Sequence, residues 1–190
     1  MGDATYRFDA GRVSLDLMAT LANRCGERLP HPDALGVWLR AGGLVKEPCR
    51  VDAGDLARGR ALRGALFGVI DAVMRDELPS AADVETINAA AAVAAHKPRL
   101  VLHTDGLRCE RRASSIAEIL GEIARDAIDL LTGPQRALLR ECVAEDCSGI
   151  YVDASRGRTR RWCSTARCGN RARVAAHRAR RRSVGEQPAP

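Results

Sequence analysis

Through residue 133 the apolar positions recur mostly at intervals of three and four, the spacing that lines one face of a helix. Val13, Leu17 and Leu21 share such a face and predict a first helix over about 13–25, preceded by a short edge strand at 5–9 and a break at Gly11. Pro32-Asp33 reads as the start of a second helix, with Leu35, Trp38 and Leu39 on one side and Gly42-Gly43 as its stop. Asp52 or Asp55 caps a long third helix whose stripe includes Leu62, Leu66, Phe67, Ile70, Val73 and Met74, ended by Leu78-Pro79. Ser80 then caps a fourth, alanine-rich helix running to Ala95.

The period changes at Arg99. Two extended runs, 99–104 and 107–111, flank Asp105-Gly106, a strong local signal for a β-hairpin turning at those two residues. From Ser114 or Ser115 onward, Ile116, Ile119, Leu120, Ile123, Ala127, Leu130 and Leu131 mark a fifth, strongly amphipathic helix, closed by Gly133-Pro134. The sum is an α+β protein: a mostly helical N-terminal domain with a small antiparallel sheet whose hairpin needs helices packed on one face.

Beyond Gly133 the chain changes character, because cysteines replace apolar stripes. Cys142 and Cys147, then Cys163 and Cys168, form two C-x4-C pairs separated by fifteen residues. No apolar run is long enough to span a membrane and the N-terminus lacks the features of a signal peptide, so a reducing cytoplasmic setting is expected. There, paired cysteines signal a metal rather than disulfides. Four thiolates on two tight turns suit one structural Zn2+ in a closed tetrahedral site, with no open position for substrate. Tyr151 to Trp162 is read as a hairpin between the pairs and a helix is expected from about Gly169-Asn170, the order of a treble-clef-like finger packed by Tyr151, Trp162, Ile150 and Val174. Four unrelated thiols, or a redox switch that releases zinc, are the competing readings. Cys25, Cys49 and Cys109 are read as small buried apolar residues.

Charge divides the chain at the same place. Residues 1–155 carry 19 Lys+Arg against 23 Asp+Glu, a balance of −4, whereas 156–190 carry 11 Arg against Glu186 alone, a balance of +10. Such asymmetry implies a polyanionic partner for the basic end. Its cations are all arginine, whose planar fork suits phosphates and guanine edges. The candidate nucleic-acid contacts are Arg156, Arg158, Arg160, Arg161, Arg167, Arg171, Arg173, Arg178, Arg181 and Arg182, with 171, 178 and 182 close to one helical face. Only Tyr151 and Trp162 interleave with them, which favours duplex DNA over base-stacked single strands, RNA remaining an alternative. His31, His96 and His103 fall in no metal or triad pattern, and Asp52, Asp55 and Asp83 have capping roles, so no enzyme is expected.

The segment from Leu139 to Arg182 resembles the CGNR zinc-finger proteins. It carries Cys168-Gly169-Asn170-Arg171, the Tyr151, Asp153, Ser155, Arg156 run, Arg160 to Ser164, and His177-Arg178. The stretch from Arg12 to Leu39 is similar to the start of the ABATE domain that precedes the finger in that family, although Ala19-Thr20 replaces the Asn-Thr of many relatives. The resemblance implies a bacterial transcription regulator divided into a ligand-sensing or dimerising domain at 1–133, a finger with a basic helix at 134–185 and a disordered tail at 186–190. It implies DNA as partner and a small-molecule effector; a homodimer is usual for such regulators, and with no membrane-spanning run a cytoplasmic, nucleoid-associated location without membrane contact is expected. An RNA-binding or ribosome-associated accessory protein is the first alternative. An N-terminal enzyme localised by the finger is the second.

Overall fold

The computed structural model describes residues 6–22, 26–94, 99–110 and 115–185. Its described elements are, in order, α1 (Val13–Met18), β1 (Leu21–Ala22), β2 (Gly26–Glu27), α2 (Pro32–Ala41), α3 (Ala53–Met74), α4 (Ala81–Ala91), β3 (Arg99–His103), β4 (Gly106–Glu110), α5 (Ile116–Thr132), β5 (Leu139–Glu141), β6 (Ile150–Val152) and α6 (Asn170–Gly185). The fold is α+β. A 3-10 turn (Pro134–Leu138) joins α5 to β5, and a π-helical turn (Thr165–Gly169) leads into α6.

Side-chain caps set most helix starts. His31 Nδ1 accepts from Ala34 N, and Pro32 occupies the first turn of α2, where its missing N–H costs nothing. Asp52 and Asp55 form a reciprocal capping box on α3, with bonds of 2.7 and 3.1 Å. Ser80 caps α4 and Ser115 caps α5. The buried stripes of α3 (Leu62, Leu66, Val69, Ile70) and α5 (Ile119, Ile123, Ala127, Leu130) meet one another and α1, while α4 covers both and Trp38 of α2 is fully buried. Core packing thus uses the long apolar faces of α3 and α5. Phe67, placed on the third helix's stripe by spacing, is 42% exposed.

Three expectations need correction. Residues 6–9 belong to no strand, and the first helix ends at Met18 rather than near 25. Thr20 Oγ1 donates to Leu17 O at 2.6 Å, and the almost fully buried Arg63 of α3 donates to Thr20 Oγ1 at 2.9 Å and to both Glu27 carboxylate oxygens. These bonds fold the chain back into the β1–β2 pair and leave Leu21 half exposed. The fourth helix stops at Ala91, and Ala95 and His96 lie outside the described residues.

The β3–β4 hairpin turns one residue earlier than Asp105-Gly106. His103 pairs with Gly106, so Thr104 and Asp105 form the loop, Asp105 ion-pairs with Arg108, and Gly106 takes a φ of 127°. Among the described residues no helix covers its leucine face: Leu100, Leu102 and Leu107 are all largely exposed. No helix among the described residues is long and apolar enough to cross a membrane.

Candidate metal centre and arginine surface

The first cysteine pair grows out of the β5–β6 pair. Leu139, Arg140 and Glu141 pair with Val152, Tyr151 and Ile150, and one further bond, Cys142 N to Gly149 O at 2.9 Å, carries the pairing into the knuckle. Cys147 N donates to Ala144 O, closing the turn. A Cβ at Gly149 would stand 2.8 Å from Cys163 Sγ and 3.2 Å from Cys147 Sγ, so only glycine leaves the sulfurs their space. The second pair brackets the entry to α6. Cys163 follows the 153–162 loop, and Cys168 lies in the π-helical turn that Gly169 N closes on Ser164 O.

The sulfurs of Cys142, Cys147, Cys163 and Cys168 all lie within 4.8 Å of one another. Cys147 to Cys163 is 3.5 Å, and Cys168 is 3.7 Å from each of these two. A disulfide needs about 2.05 Å, whereas a tetrahedron with Zn–S bonds of about 2.3 Å has edges of roughly 3.8 Å. The donor set and spacing therefore fit one structural zinc ion. Three of the cysteines are buried and Cys147 is half-buried. The hydrogen bond from the Cys163 thiol pulls the Cys147 thiol down to about 4, while Cys163, as the donor to Cys147, is pushed up. A bound zinc ion supplies the charge that lets all four sulfurs ionise.

Between the pairs the structure departs from the hairpin expected over Tyr151 to Trp162. Among the described residues β6 pairs only with β5, and 153–160 is a loop built on the buried Asp153. Asp153 Oδ1 accepts from Ser155 N and Oγ, its Oδ2 accepts from Arg160 N, and Ser155 Oγ accepts from Thr159 N. The Ser155 hydroxyl bond holds the Asp153 carboxyl below its usual range. Loop geometry also sets Arg158 at a φ of 49°, with its N–H on Ser155 O. Ile150 and Tyr151 pack beside the cysteines, and Trp162 lies against Gly169. Val174 does not join them; it is 41% exposed.

The ten candidate arginines separate by environment. Arg156 and Arg158 are exposed at the tip of the Asp153 loop, and Arg161 is exposed with its guanidinium 5.4 Å from the Trp162 ring. On α6, Arg173, Arg178 and Arg181 are exposed; the side chain of Arg182 lies outside the described residues. Arg160 is turned inward, donating to Trp162 O, Cys163 O and Asp9 O, and stacks 4.3 Å from the Tyr151 ring centroid. Arg167 reaches Tyr6 O, and Arg171 reaches Asp146 and Cys168 Sγ. Spacing gives no way to pick out these three, of which Arg171 is itself exposed, since each has a partner distant in sequence. Arg7, whose positive charge acts on Cys163, carries no metal-site signal in sequence.

His31 and Asp52 serve as helix caps. Of the remaining thiols, Cys49 is half-buried, Cys25 lies outside the described residues, and the side chain of Cys109 is likewise not described. Ala19 lines a crevice of about 10 Å³ with Arg7, Met18 and Gly149, space for about one water. A shallower groove of about 580 Å³ runs between the end of α3 and residues 133–140.

Comparison with protein families gives two matches in chain order. Residues 11–134 match the ABATE family, described as "Putative stress-induced transcription regulator". Residues 138–181 match the CGNR zinc finger. No match is found among curated proteins.

Proposed function

The chain belongs to the ABATE family and carries a CGNR zinc finger behind that domain, and from this premise we propose that it is a zinc-dependent transcription regulator that binds duplex DNA through the finger. One observation supports this most: α6 has no acidic residue between Asn170 and Gly185 and holds Arg173, Arg178 and Arg181 out to solvent. A helix exposed on nearly every face gains little from burial, and six arginines repel one another along it. A polyanion satisfies both conditions. The Asp153 loop offers Arg156 and Arg158 as a second point of contact, and two points fix a register on a duplex better than one. Arg160 acts inside the finger in this account, Arg167 ties it to Tyr6 and Arg171 binds Asp146, and together they hold the outward arginines in place.

Duplex is favoured over single strands because Tyr151 is 1% exposed with its hydroxyl on Arg160 O, leaving it no face for base stacking. The N-terminal domain at 1–133 senses a small molecule or mediates dimerisation, and the finger spans 134–185 ahead of the 186–190 tail. The protein acts as a non-enzymatic binder in the bacterial cytoplasm, at the nucleoid.

Binding to a duplex is expected to weaken steeply with salt. Arg178→Ala should weaken it about threefold to tenfold at every sequence tested and lower the slope of log K against log salt by about 1. Fluorescence anisotropy on duplex DNA with structured RNA as competitor checks this. RNA that displaces the duplex at equal concentration would move the assignment to the RNA-binding alternative.

A further inference from the structure

The segment 6–12 belongs by position to the N-terminal domain, yet it lies across the finger. Val152 N donates to Ala10 O at 2.8 Å, continuing the edge of β6, and Gly11 approaches so closely that a Cβ would stand 3.3 Å from Val152 Cβ. Arg160 donates to Asp9 O at 2.8 Å and Arg167 to Tyr6 O at 3.5 Å. Arg7 sits in the middle of this strap. Its side chain is only 9% exposed, its Nε is 3.4 Å from Asp9 Oδ1, and it lines the same crevice as Gly149, whose Cβ position is 2.8 Å from Cys163 Sγ, so that its positive charge acts on Cys163. A second arginine reaches another of the sulfurs: Arg171 is 3.4 Å from Cys168 Sγ and 3.1 Å from Asp146.

Four thiolates around a divalent ion leave a surplus of about two negative charges in a largely buried site. Two guanidinium groups, Arg171 hydrogen-bonded to Cys168 Sγ and Arg7 beside Cys163, bring positive charge to two of the sulfurs, each held there by an aspartate, Asp146 and Asp9. Groups that donate to metal-bound ligands orient them and tune their basicity. We propose that Arg7 and Arg171 are positioning residues of the zinc centre, and that through Arg7 the metal site anchors the N-terminal domain onto the finger. The contact joins the two parts of a regulator at a place where a shift of the strap is felt by the sulfurs that hold α6. It depends on the zinc site and not on nucleic acid, so it stands or falls independently of DNA binding.

The test uses the full chain loaded with zinc or with cobalt, comparing Arg7→Ala, Arg171→Ala and, as a distant exposed control, Arg58→Ala. Transfer of zinc to a chromogenic chelator should be about tenfold faster from Arg7→Ala than from the control. In the cobalt form the thiolate-to-metal charge-transfer band should move to lower energy, since a sulfur that loses a positive neighbour holds its electrons less tightly. The Val152 amide should lose protection from hydrogen exchange with metal still bound. Arg171→Ala should reproduce the faster transfer and the band shift but leave Val152 protected. Transfer and band position equal to the control in Arg7→Ala would overturn the proposal. Should Arg7→Ala lose its helical circular dichroism, Arg7→Lys decides: it keeps the charge and loses the fork, so a partial band shift supports the proposal and an unchanged band overturns it.

Discussion

The two halves of this molecule are held together by different means. The helical body buries whole side chains: Trp38, Leu35, Leu39, Leu66, Ile70 and Ile123 are fully sequestered on α2, α3 and α5. The finger has few large apolar residues and instead gathers four sulfurs, an aspartate that accepts three hydrogen bonds and the inward-turned Arg160. A segment of about 50 residues rarely buries enough to fold alone, and a structural zinc contributes on the order of 10 kcal/mol or more at neutral pH. The comparison teaches that volume governs the body and space around a metal governs the finger. One is broken by removing atoms, the other by adding them.

Leu66→Ala should be the largest test of the first half. Truncating a fully buried leucine is expected to destabilise the body by about 2–5 kcal/mol in urea unfolding followed by Trp38 fluorescence in a Trp162→Phe background. Zinc affinity should hardly change. Gly149→Ala is the converse: one methyl group set 2.8 Å from Cys163 Sγ should lower zinc affinity tenfold or more by competition with a chelator, with the urea midpoint of the body nearly unchanged. Equal effects of both substitutions on both readouts would erase the distinction.

A smaller effect lies in the body next to the strap. Asp16 is 7% exposed, accepts from Ala10 N at 3.1 Å, and is pushed up to about 7, chiefly by burial and also by the charges of Asp9 and Asp126, with Arg7 opposing. Its native state therefore holds a proton that the unfolded chain has released above about pH 4. The stability linked to that proton is present below about pH 4 and is lost as pH rises through about 7. Asp16→Asn should flatten the dependence of stability on pH between 4 and 7. A variant whose curve parallels the parent across that window would show that Asp16 is not the group responsible.

Sequence patterns carried the body a long way. The starts of α2, α3, α4 and α5 are fixed by His31-Pro32, Asp52, Ser80 and Ser115, all local chemistry that a one-dimensional reading can reach. The end of α1 was not reachable that way, because it is set by Arg63, forty-three residues from Thr20 along the chain. The uncovered β3–β4 hairpin shows the limit in the other direction: alternation predicts strands but not what packs on them. In the finger, cysteine spacing pointed to the metal, while the strand partner of β6 is β5, on the near side of the knuckle rather than the far side. Ten arginines look alike in sequence. Arg160 stands apart only once its contacts with Asp9, Trp162 and Cys163 are seen.

The central claim is that zinc shapes the finger that holds the outward arginines against DNA. It is tested most directly by titrating the full chain with duplex DNA before and after zinc removal, while the emission of Trp162 and of Trp38 is followed separately in Trp→Phe variants. Chelation should abolish specific DNA binding and shift Trp162 emission while Trp38 stays buried, and restoring zinc should return both. Undiminished specific DNA affinity in the metal-free chain would contradict the account.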